Sequence, residues 1–275
     1  MRRICLNLCL LLFLNVLCSA QEYSLKPVME IRLSDKIGQL RAVPVKIGNK
    51  YPHAIAVMYS EEAEVDPWEG MFFFPKHSLK LAVLTTSGKL LWKKDLGEGV
   101  VPGIWFSPLF AFDLDQDDRD EIWIINNRDP QHPLNYRYYM LEKLDPETGE
   151  LIAEVKWPEP EVPQQLSHLY RHFIMGGYIN GKPLLITAQG TYGPMRIQAW
   201  NSDMSLRWEN YLPGNTKGAK GSHVTPVVDI NNDGVDDLLW GERCFELDRG
   251  NQLFCADENK WEGHSDIIQP VFDYK

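Results

Sequence analysis

The sequence is short of the residues that mark several functional classes. Of its five cysteines, Cys5, Cys9 and Cys18 fall in the first 18 residues, so the rest of the chain keeps only Cys244 and Cys255. No Cys/His spacing suits zinc, no glycine-rich loop is built to cradle phosphate, and no Ser-His-Asp arrangement is present. Helical periodicity is missing throughout. Beyond residue 20 no apolar run approaches the length of about 20 residues that a membrane span requires. Positive charge is scarce as well: 28 Lys and Arg stand against 38 Asp and Glu, a net charge of −10. A nucleic-acid partner, whose phosphates favour a basic face, is therefore not expected.

Residues 1–20 hold Arg2 and Arg3, an apolar run from Ile4 to Val16, and Cys18-Ser19-Ala20 ahead of Gln21. This is the pattern of a secretory signal cleaved near Ala20. A lipoprotein anchored through Cys18 is the weaker alternative, since Asn15 and Leu17 depart from a lipobox. The expectation is a chain that is secreted or periplasmic, with residues 21–275 forming a single β-propeller-like domain. Loss of the two leader arginines would move the net charge from −10 to −12. On so acidic a protein, an anionic polysaccharide needs a local basic patch or a bound cation.

The most informative stretch is residues 221–255. Asp229, Asn231, Asp233 and Asp237 stand there at positions 1, 3, 5 and 9 of a loop, with Gly234 at position 6, where the chain turns sharply. Hard oxygen ligands at this spacing suit calcium. An EF-hand is excluded, because position 12 is Trp240 and the flanking apolar runs are too short for helices. The alternative for a single such loop is an acidic turn that binds nothing. A second copy, Asp113, Asp115, Asp117 and Glu121, repeats the four positions, with Asp118 in place of the glycine. Asp tolerates the left-handed region better than most residues, but the Asp229 loop is expected to be the better site.

Cys244 and Cys255 flank the segment CFELDRGNQLFC, whose turn is centred on Arg249-Gly250. A two-residue hairpin would set them opposite one another, and a disulfide is expected in an exported protein. Counting from the turn places them at a wide, hydrogen-bonded pair, so the bridge would call for a bulge.

A recurring unit organises the chain. LAVLTTSGKLLW, YMLEKLDPETGELIAEV, IQAWNSDMSLRW and CFELDRGNQLFC each read as a hairpin, and each follows a more apolar pair of strands. About four strands per unit, repeated in tandem, point to an all-β, β-propeller-like fold, with a β-sandwich as runner-up. Pro226-Val-Val-Asp229 returns as Pro270-Val-Phe-Asp273, which reads as the start of a fifth unit. Four blades and the start of a fifth are expected, from a larger, eight-bladed ring.

Residues 221–250, followed by Gly263-His264-Ser265-Asp266, resemble the catalytic propeller of family 11 rhamnogalacturonan lyases. Asn231 and Ser265 depart from that pattern, and the match loosens over residues 43–208. AVLTTSGKLLW also resembles the tryptophan-docking repeat of quinoprotein propellers, with Leu84 in place of Asp. The first resemblance implies β-elimination on rhamnogalacturonan or another pectic or acidic polysaccharide. Bound calcium would then neutralise the substrate carboxylate and a base would take the adjacent ring proton. Candidates for the base are His223, His264, Lys220 and Arg243, in that order, with Lys220 and Arg243 also candidates for substrate binding. Either histidine, alternatively, simply hydrogen-bonds a neighbouring carbonyl or carboxylate. A non-catalytic, calcium-stabilised propeller that binds a glycan or a protein remains the alternative function.

Other candidates are more equivocal. His168, Arg171 and His172, near Tyr170, line either a sugar-binding mouth or a polar loop between units. Trp92, Trp208 and Trp240 are expected in the core rather than as sugar platforms, and Trp68 beneath its loop rather than exposed on it.

Overall fold

The computed structural model describes residues 24, 26–27, 29–33, 35–129, 133–160, 165–218, 220–258 and 264–271. The expected leader, residues 1–20, lies outside them. Met1–Arg32 and Leu33–Lys275 are separate units, and the second carries the architecture that follows.

The protein is nearly all β. Four antiparallel four-stranded sheets follow one another along the chain, each with its strands in sequence order. The first holds β1 (Gln39–Val45), β2 (Ala54–Ser60), β3 (Lys80–Thr85) and β4 (Leu90–Asp95). The second holds β5 (Leu109–Phe112), β6 (Glu121–Asn127), β7 (Tyr139–Leu144) and β8 (Leu151–Lys156). β9 (His172–Ile179), β10 (Lys182–Gln189), β11 (Met195–Trp200) and β12 (Leu206–Leu212) make the third. After β13 (Ser222–Val224), the fourth comprises β14 (Val227–Val228), β15 (Asp237–Trp240), β16 (Arg243–Glu246) and β17 (Gln252–Cys255). β18 (Ser265–Ile267) returns to pair in parallel with β13.

Helix is confined, among the described residues, to the turn Leu166–Leu169 and a 3-10 turn at Tyr136–Tyr138. These are a small departure from the expectation of no helix. Of the segment expected to open a fifth unit, Pro270 and Val271 are not in a strand, and Phe272 and Asp273 lie outside the described residues.

The sheets stack face to face because their inner strands are apolar on both sides. On β6, Ile122 and Ile124 join a core with Met58, Leu81 and Val83 of the first sheet. Their neighbours Trp123 and Ile125 point the other way, into a core with Ile174, Leu185 and Trp200 of the third. Side chains alternate across a strand, so a strand buried on both faces reads as an unbroken apolar run. The third sheet repeats the arrangement, with Leu184 and Ile186 packing against Leu238, Trp240 and Phe245. Removing a fully buried ring such as Trp123 costs about 3–5 kcal/mol.

All four sheets share one irregularity. The third and fourth strands slip register at Val83/Leu84, Lys143/Leu144, Ala199/Trp200 and Cys244/Phe245. In the second and fourth sheets the turn beyond the bulge seats a tryptophan from the sheet before it. Trp92 Nε1 donates to Pro146 O (2.9 Å), and Trp208 Nε1 donates to Leu247 O (2.8 Å). The indoles lie against Gly149 (φ +74°) and Gly250 (φ +73°). A Cβ at Gly149 would meet Trp92 at 2.7 Å, and one at Gly250 would meet Trp208 at 2.6 Å. Trp240 is fully buried, while Trp92 and Trp208 are half-buried staples between sheets.

The same bulge corrects the reading of the cysteines. The turn is not a two-residue hairpin: Gly250 N bonds back to Glu246 O, and Glu246 N to Asn251 O. Cys244 therefore faces Phe254, and Cys255 faces Arg243. An offset of one residue puts the two thiols on opposite faces of the sheet, and both are free. Burial, and then the Asp237 carboxylate, push the Cys244 thiol up to about 12.

Candidate functional site

The two acidic loops are copies of one another in backbone and hydrogen bonding. Their fourth and sixth positions are left-handed in both, Gln116 and Asp118 in one, Asn232 and Gly234 in the other. Asp113 accepts from Asp117 N and Asp118 N, as Asp229 does from Asp233 N and Gly234 N. Glu121 accepts from Leu114 N, and Asp237 from Ile230 N.

Their charges differ. The Asp113, Asp115 and Asp117 carboxylates lie within 4.8 Å of one another. Lys143, nearly buried, reaches them with its ammonium 2.8 Å from both Asp115 and Glu121. Those two carboxylates hold the Lys143 ammonium above the usual lysine range, against the opposing effect of burial. In the fourth sheet the matching position belongs to Cys244, opposite Leu239 as Lys143 is opposite Trp123. Asp237 is raised by burial and by repulsion from Asp233 and Asp229, and Ile230 N–H only partly offsets this. Among the described residues no lysine or arginine pairs with these carboxylates. The two loops thus divide the features a hard cation wants: the Asp113, Asp115 and Asp117 oxygens converge but share a lysine, while the Asp229 loop keeps its negative charge without one.

Both loops sit at one end of the sheets. Asn180 N donates to Gly234 O (2.7 Å), Ile179 bridges Val235, and Gln116 Nε2 donates to Gly181 O (3.1 Å). The histidines are at the other end, where His172 N bonds Trp105 O and Gly190 N bonds Arg171 O. β9 spans the gap in seven residue steps, roughly 23 Å at strand rise.

At this far end a cleft of about 460 Å³ opens between segments remote in sequence. Asp66 and Trp68 come from the β2–β3 loop, His168 from the helical turn, Arg171 from the entry to β9, Tyr192 from the β10–β11 loop and His223 from β13. Trp68 is 56% exposed, which corrects the expectation of burial. Tyr192 has a φ of +74°, an uncommon conformation for a bulky residue. Its hydroxyl lies 3.1 Å from His264 Nε2 and 3.5 Å from His223 Nε2. The imidazoles are 4.5 Å apart between centroids, and Trp105 backs His223 at 5.0 Å.

The first two candidates for the base are thus brought together, and Tyr192 joins them. Lys220 lies beside the cleft, its carbonyl accepting from Tyr192 N (3.2 Å), whereas Arg243 is engaged elsewhere. Lys220 Nζ donates to Gly214 O (2.7 Å). Arg243 is buried, bonding Gln252 Oε1 and Lys217 O. Of the three residues near Tyr170, His168 and Arg171 reach the cleft. His172 does not: it is buried between Tyr136 Oη (2.8 Å) and Phe106 O (3.0 Å), and burial depresses it to about 4.

The chain is similar to rhamnogalacturonan lyases. It is 25% identical over 212 residues to rhamnogalacturonan exolyase YesX of Bacillus subtilis (strain 168), across 66% of this chain and 34% of the relative. It therefore spans about a third of that curated relative's length. Its fold matches the crystal structure of exotype rhamnogalacturonan lyase YesX with a TM-score of 0.67, at 18% identity, over 82% of this chain and 44% of that one. Rhamnogalacturonan lyase YesW matches at 0.66 and 17% identity, over 78% and 41% of the two chains. The Bacillus licheniformis rhamnogalacturonan lyase PL11 matches at 0.64, with the same identity and coverage. No protein-family model matches. The similarity supports, at the level of the family, the resemblance read from residues 221–266. No helix among the described residues is long and apolar enough to cross a membrane.

Proposed function

We propose that this chain is a polysaccharide lyase that cleaves rhamnogalacturonan by β-elimination, on a β-propeller whose blades are the four meander sheets. The observation that carries the reading is the meeting of His223, Tyr192 and His264 at the cleft, in a chain similar to such lyases. His223, which lines the cleft, takes the ring proton next to the uronate carboxylate. The electron pair forms the carbon–carbon double bond and expels the glycosidic oxygen. Tyr192 protonates that oxygen, and the proton held by His223 passes to Tyr192 to reset the pair. His264, 3.1 Å from the tyrosine hydroxyl, orients it.

Calcium belongs to this proposal as a structural ion held by Asp229, Asn231, Asp233 and Asp237, where it would offset the clustered negative charge of the loop. Its loop packs at the Ile179–Asn180 end of the sheets, opposite the end where the histidines meet, so the ion acts on the fold rather than on the reacting atoms. The leader pattern of residues 1–20 supports export with cleavage near Ala20. The test of function is ultraviolet absorbance of the unsaturated product on rhamnogalacturonan with calcium present. Silence across pectic and other uronate polymers would sink the reading.

A further inference from the structure

Arg171 is 4% exposed, yet it lines the cleft. Its guanidinium lies over the rings of Trp105 (4.9 Å to the centroid) and Tyr192 (5.4 Å). Nη2 reaches Asp66 Oδ1 at 3.3 Å, a long ion pair. Nε and Nη1 are buried and meet no acceptor among the described residues. Buried donors without acceptors carry a desolvation cost, and a guanidinium pinned between two aromatic faces cannot swing out to water to relieve it. A side chain held this way, at the wall of an open cleft, is prepared for an anionic ligand.

We infer that Arg171 and Trp68 form a subsite for an acidic sugar, the guanidinium taking the carboxylate and the exposed indole taking the ring. The charge sets the class. One arginine, already partly offset by Asp66, suits a monoanion better than a phosphate dianion. Trp68, with Met71 beside it on the cleft wall, offers an apolar surface to the carbon-bound hydrogens of a pyranose. The subsite deepens the lyase reading and rests on it in one respect. β-Elimination needs the uronate carboxylate neutralised beside the base, and both acidic loops lie at the opposite end of the sheets. Arg171 supplies that charge beside Tyr192 and His223.

The experiment is calorimetric titration of the intact chain with sodium galacturonate and, in parallel, with galactose, which has the same ring without the carboxylate. Wild type should prefer galacturonate, and Arg171→Met should weaken galacturonate binding by about ten- to hundredfold while sparing galactose. Trp68→Ala, at an exposed position, should weaken both. Arg171→Lys keeps the charge but loses the planar fork, so it should fall between wild type and Arg171→Met; it and Trp68→Ala decide the matter should Arg171→Met fail to fold. Equal affinity for the two sugars, full galacturonate affinity in a folded Arg171 variant, or displacement of galacturonate by equimolar inorganic phosphate would each overturn the subsite. Galacturonate binding without turnover on any polymer upholds it and removes the lyase reading; turnover indifferent to Arg171→Lys does the reverse.

Discussion

Lys143 and Cys244 occupy the same place in two copies of one sheet: an ammonium beside Glu121 in the second, a buried thiol in the fourth. The acidic loops they serve are otherwise alike, so the exchange separates their chemistry. A buried ammonium shared by Asp115 and Glu121 already provides the charge that a cation would bring. Calorimetry should find one calcium per chain, lost in Asp233→Ala, and chelator should lower the melting temperature of wild type. Lys143→Met should melt early in chelator and recover with calcium, as the Asp113 loop becomes a second site. Two calcium ions in the wild-type chain would contradict this.

The tryptophan staples give a second expectation. Gly149 and Gly250 are left-handed, and each lies under an indole with no room for a Cβ. Alanine at either position should cost about 1–3 kcal/mol, through backbone strain and displacement of the ring. Gly97 and Gly181 have similar positive φ, but nothing lies within 4 Å of where a methyl group would stand. Alanine there isolates the strain, so denaturant titration of the four variants should separate the two contributions.

A third concerns pH. His172 is neutral in the fold, depressed to about 4 from an ordinary value of 6.5. The unfolded chain takes up this proton below 6.5 and the folded chain resists it, so stability present above 6.5 drains away as pH falls toward 4. The slope attributable to this one group is roughly 1.4 kcal/mol per pH unit. His172→Gln should be less stable at neutral pH and flatter across that window; a slope equal to wild type would place the proton elsewhere.

Strand order and the acidic loops were legible because they are local. Ile122 to Ile125 announce a strand buried on both faces, and Asp229 to Asp237 carry their spacing within nine residues. The register of Cys244 was not legible, since a bulge and a longer turn shift it by one. Nor was the cleft. Asp66, Arg171, Tyr192, His223 and His264 are spread over 199 residue numbers, 66 to 264, and only sheet stacking joins them. A left-handed Tyr192 between Thr191 and Gly193 leaves no periodic trace, and the exposure of Trp68 depends on the shape of its loop rather than on local pattern.

The last expectation divides the roles within the histidine pair. His223 lines the cleft and His264 reaches it through Tyr192 Oη, so the two should fail differently on rhamnogalacturonan. His223→Gln removes the proton acceptor and should lower kcat by about 10²–10⁴-fold with little change in KM. Tyr192→Phe keeps the ring under Arg171 but removes the proton donor, and should lower kcat by a similar factor. His264→Gln keeps a polar partner for the tyrosine and should cost less, since the side chain acts by orienting the hydroxyl. A substrate bearing a leaving group that needs no proton should restore much of the rate to Tyr192→Phe and none to His223→Gln. Rescue of His223→Gln and not of Tyr192→Phe would reverse the assignment of base and acid, and full activity in His223→Gln would remove the histidine from the chemistry.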